Sequence, residues 1–74
     1  MKYNEEDFRE DTIKGLMKLG HLRKEATIIF DRSGLLEGYR MNPSYYEDPY
    51  EKMFWAEEAL EWYEVKKELR ILSL

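Results

Sequence analysis

The chain has 74 residues, a net charge of -4 and no cysteine. That is enough for one domain spanning 1–74, and it excludes disulfides, thiolate metal sites and thiol nucleophiles. Net acidity argues against a general nucleic-acid coat, and no apolar run is long enough to cross a bilayer or to form a signal-peptide core.

From the N-terminus, Asn4 is suited to cap a helix, and Glu5, Glu6 and Asp7 follow where acids complement the helix dipole. Phe8, Thr12, Leu16 and Leu19 recur at helical spacing, with Ile13 and Met17 widening the stripe, and Gly20 is a stop signal. These residues predict a helix from about Glu5 to Leu19. Lys14, Lys18, His21, Arg23 and Lys24 then make the one basic stretch of the chain, with no acid between Asp11 and Glu25.

The middle of the chain admits two readings. Ala26-Thr27-Ile28-Ile29-Phe30 is β-branched and aromatic, Asp31-Arg32-Ser33-Gly34 suits a tight turn, and residues 35–41 would return as a second strand. The alternative is a helix from Leu22 to Ser33, stopped by Gly34. Its apolar stripe is narrow and its three adjacent β-branched residues are poor helix formers, so the expectation is the hairpin. Asn42 to Glu47 is expected to be a loop, because Pro43 drives Asn42 out of helical space.

Asp48-Pro49-Tyr50-Glu51 is the clearest start signal: a capping carboxylate, a proline at the first helical position and a glutamate three residues after the cap. The helix it opens is predicted to run from Pro49 to about Leu72. At 100° per residue, Met53, Ala56, Leu60 and Tyr63 form one apolar seam, and Trp55, Ala59, Trp62 and Leu69 a second beside it. Glu57, Glu61, Glu64 and Glu68 line the opposite face as one ridge. Lys66, Lys67 and Arg70 stand near the helix end, followed by the apolar residues Ile71, Leu72 and Leu74. The expected fold class is therefore α+β: an N-terminal helix, a central β-hairpin and a long C-terminal amphipathic helix. The alternative is an all-α three-helix domain.

Three features bear on function. Two seams exceed the width of an ordinary surface stripe. They either centre the helix in the core or leave one seam, with Trp55 and Trp62, for a homodimer or other partner. The glutamate ridge is a solvated face or an acidic surface for a basic protein partner. Its turn spacing of about 5.4 Å also comes near the phosphate separation along a nucleic-acid strand. The basic stretch, through Lys14, Lys18, Arg23 and Lys24, could meet phosphates while Tyr45 and Tyr46 stack on unpaired bases.

Catalysis has little to draw on. His21 is the single histidine, no nucleophile-elbow glycines flank Ser33, Ser44 or Ser73, and no phosphate-binding or dinucleotide motif occurs. The expectation is a small, acidic, cytoplasmic, non-catalytic interaction protein with no cofactor and no metal. It would act as a regulator or inhibitor, of the kind viruses and mobile elements encode, on a protein partner. Nucleic-acid binding is the alternative.

Overall fold

A computed structural model of the chain describes residues 3–47 and 52–72, and among these the side chains of 3–46 and 53–69. Among the described residues five helices follow one another: α1 (Glu5–Lys18), α2 (Arg23–Ser33), α3 (Leu35–Met41), α4 (Pro43–Glu47) and α5 (Lys52–Leu72). No strand occurs among the described residues.

α1 starts as its sequence requires. The Asn4 side chain accepts from the Asp7 backbone N–H at 2.9 Å, and the Asp7 carboxylate accepts from the Asn4 N–H at 3.1 Å, a reciprocal capping box. Phe8, Thr12, Ile13 and Leu16 turn inward and are buried. The buried Thr12 hydroxyl donates to the Phe8 carbonyl, so it carries no unpaired polar group into the core. Leu19 closes the helix, and the chain reverses through Gly20, whose φ of 106° lies in the left-handed region.

The expected hairpin is replaced by helices, which makes this an all-helical domain and not an α+β one. The reason lies in the burial pattern of 26–33. Ala26, Ile29, Phe30 and Ser33 fall at i, i+3, i+4 and i+7, and all four are buried. On a strand, alternate residues would point to opposite faces and this set would split. Two local bonds support the helix: Glu25 accepts from the Leu22 N–H at 3.0 Å, and the Thr27 hydroxyl donates to the Arg23 carbonyl at 2.9 Å. Burial of two large side chains outweighs β-propensities that differ by only about 1 kcal/mol. Gly34, at φ 87°, ends α2 in the left-handed conformation and starts α3. The buried Ser33 hydroxyl fixes this corner, donating to the Phe30 carbonyl at 2.7 Å and accepting from the Leu35 N–H at 3.2 Å.

The expected loop at 42–47 is also corrected. Asn42 is indeed non-helical, at φ -151° and ψ 74°, but Pro43 then opens the short helix α4. Proline without a donor suits a first helical position. The start signal at Asp48-Pro49-Tyr50-Glu51 lies outside the described residues, and α5 is described from Lys52.

α5 packs against both α1 and α2, which also pack against each other. The core they share holds Phe8, Ile13, Leu16, Ala26, Ile29, Phe30, Leu35, Tyr39, Trp55, Ala56 and Ala59. One end is aromatic. Phe8 stacks on Tyr39 at 4.9 Å, meets Phe30 edge-on at 5.8 Å, and packs near Tyr46 and Trp55. Tyr46 lies 4.5 Å from the Trp55 ring, so the short helix α4 closes this end of the core. Such ring pairs add about 0.5–1.5 kcal/mol each beyond the area they bury, which helps a domain this small.

Candidate interaction surface on the last helix

The two seams of α5 have different fates. Ala56 is fully buried, and Leu60 and Tyr63 pack on the edge of the core. The second seam divides along its length. Its first half, Trp55 at 5% exposure and Ala59 at 0%, is core. Its second half faces outward, with Trp62 47% and Leu69 59% exposed. Val65, which the wheel places between the second seam and the ridge, is exposed as well and joins Trp62 and Leu69 into an i, i+3, i+7 strip. Steps of three and four residues from Trp62 to Val65 to Leu69 are the signal of this strip in the sequence.

Beside the strip stand Glu57, Glu61, Glu64 and Glu68, all exposed. At 100° per residue the four lie within about 60° of one another, and the apolar strip lies about 100° round the helix. None of the four makes an ion pair or hydrogen bond to a described residue. Lys67, at helical spacing from Glu64, has its ammonium 6.0 Å from the Tyr63 ring centroid. The side chains of Arg70, Ile71, Leu72 and Leu74 lie outside the described residues.

The basic residues are divided in the same way. Lys14, Lys18 and Lys24 are exposed. Arg23 is engaged: one guanidinium nitrogen meets both Glu10 carboxylate oxygens at 2.7 Å. That hydrogen bond is the main cause holding the Glu10 carboxyl below its ordinary range. Arg9 pairs with Asp31 at 3.5 Å and Arg40 with Glu5 at 2.6 Å. Tyr46 is committed to the core edge, where burial raises its phenol above the ordinary value. Tyr45 is half exposed, with its ring 5.7 Å from Trp55. The structure thus brings Trp62 together with the glutamate ridge. It separates both from Trp55, and it leaves Lys14, Lys18 and Lys24 without Arg23 or Tyr46 as free companions.

No catalytic grouping forms among the described residues. His21 lies 4.0 Å from Glu25, while the Ser33 hydroxyl donates to Phe30 and the Ser44 hydroxyl to the Asn42 side chain. A shallow depression lined by Tyr3, Asn4, Glu5, Tyr39, Arg40 and Pro43 holds the Arg40–Glu5 pair, and Tyr3 at its edge donates to Asp11. No helix is long and apolar enough to cross a membrane among the described residues.

No protein-family model matches this chain, and no curated protein and no solved structure matches it.

Proposed function

We propose that this chain is a small non-catalytic interaction protein that binds a protein partner through the outer face of α5, as a regulator or inhibitor of that partner. One observation carries the reading: Trp62, Val65 and Leu69 are exposed in a row beside four glutamates that pair with no described residue. Trp is the side chain most often found at the energetic centre of interfaces, and i, i+3, i+7 anchors are how a helix enters an apolar groove. Four like charges in one row repel one another, and cations on a partner would relieve them. The fitting partner presents exposed apolar side chains with basic side chains beside them. The nucleic-acid alternative has less support, since Arg23 is already held by Glu10 and Tyr46 packs on Trp55.

The test is capture with the tagged full chain, identified by mass spectrometry. Two variants are compared with the wild type, one carrying Glu57→Lys, Glu61→Lys and Glu64→Lys, the other Trp62→Ala and Leu69→Ala. Both are expected to lose the captured protein while keeping the wild-type circular dichroism. Capture that survives both variants would show that α5's outer face is merely solvated.

A further inference from the structure

We infer that the partner seated on α5 is a second copy of this chain, whose basic end, formed by the end of α1 and the start of α2, lies along the glutamate ridge. The inference rests on the reading of α5 as a binding surface and names its occupant.

The two surfaces are complementary in charge, spacing and apolar flank. Lys14 and Lys18 are exposed and stand four residues apart on α1, about 6 Å along the axis. Glu57 and Glu61, and again Glu64 and Glu68, have that same four-residue separation on α5. Lys24, at the start of α2, adds a third cation. None of these three lysines, and none of the four glutamates, forms an ion pair with a described residue, although the Lys14 charge acts on Glu10 from one turn away; Arg9, Arg23 and Arg40 are all matched within one copy. Within a single copy, then, the lysine row and the glutamate row do not meet.

Each row also has an apolar neighbour. Met17 and Leu19 are exposed beside the lysines, and Leu22, between α1 and α2, is 72% exposed. Trp62, Val65 and Leu69 are exposed beside the glutamates. Exposed ion pairs contribute little affinity singly, so the apolar contacts supply most of it and the opposed charges set register and direction. A two-fold pairing uses both surfaces of both copies and leaves neither row open.

Sedimentation equilibrium of the full chain tests this. The wild type is expected at twice the 9.1 kDa chain mass. Its association should weaken as ionic strength rises from about 0.1 M to about 1 M, which shortens screening from roughly 10 Å to roughly 3 Å. Glu61→Lys with Glu64→Lys, and separately Lys14→Glu with Lys18→Glu, should each be monomeric, with circular dichroism confirming the fold. Their equimolar mixture should dimerise again, because both contacts in the mixed pair regain opposite charges. Trp62→Ala, which leaves every charge in place, should weaken the dimer by about tenfold or more. A monomeric wild type, a monomeric mixture, or a charge-reversed variant that still dimerises alone would each overturn the pairing. If the wild type is monomeric yet captures a different protein in a manner lost on changing α5, the second-copy assignment falls and the interaction reading stands. Loss of both removes both.

Discussion

Tyr3 shows how much a single side chain outside the core can report. Its hydroxyl donates to the Asp11 carboxylate at 2.9 Å and its ring lies 6.5 Å from that of Tyr39. Burial, then the hydrogen bond to Asp11, then the charge of that carboxylate raise the phenol well above its ordinary 10.0. The folded chain therefore keeps Tyr3 protonated where the unfolded chain ionises. Stability from this group is complete below about pH 10 and declines as pH rises above it toward the folded value. Urea unfolding between about pH 9 and about pH 11 should show a steeper loss of stability for the wild type than for Tyr3→Phe. Equal slopes would mean that Tyr3 is as solvated folded as unfolded. The sequence supplied both residues at a spacing of eight, but not the pairing, which needs Tyr3 to fold back along α1.

At the scale of elements, legibility followed local signals. α1 could be read almost to its ends because Asn4, the acidic first turn and Gly20 all act through bonds within a few residues. Residues 26–41 could not. The helical period of Ala26, Ile29, Phe30 and Ser33 was present, yet its weight came from burial against α1 and α5, which the segment alone does not contain. α3 has a further dependence. Gly38 lies in mid-helix, where alanine would ordinarily be favoured by about 1 kcal/mol. Here a Cβ would run into the Tyr46 hydroxyl, with the ring carbon behind it at 3.1 Å. Gly38→Ala is thus expected to destabilise the wild type and to cost less in the Tyr46→Phe background. The coupling from a double-mutant cycle by chemical denaturation should be about 1 kcal/mol. Additive effects would show that α3 and α4 do not press on each other at this point.

The whole molecule measures 45 × 27 × 17 Å, and α5 at 21 residues is about 31 Å long. Its two tryptophans divide the work along that length. Trp55→Ala should lose about 3–5 kcal/mol, much of what holds a domain this small together, whereas Trp62→Ala, at chain concentrations dilute enough for single copies to prevail, should cost about 1 kcal/mol or less. Thermal unfolding separates them, and a Trp62→Ala loss as large as that of Trp55→Ala would place Trp62 in the core and remove the proposed surface. The sequence by itself determined that α5 has a wide apolar face and an aligned row of glutamates, because a helix of fixed pitch puts every residue at a known angle. It also determined how α1 begins, since caps act within one turn. Only the tertiary structure decided that 26–41 is helical, since that balance turns on apolar area buried against helices distant in the chain. The tertiary structure likewise decided which half of α5's second seam is covered. Angle round a helix follows from sequence, but burial along its length depends on where its neighbours stop.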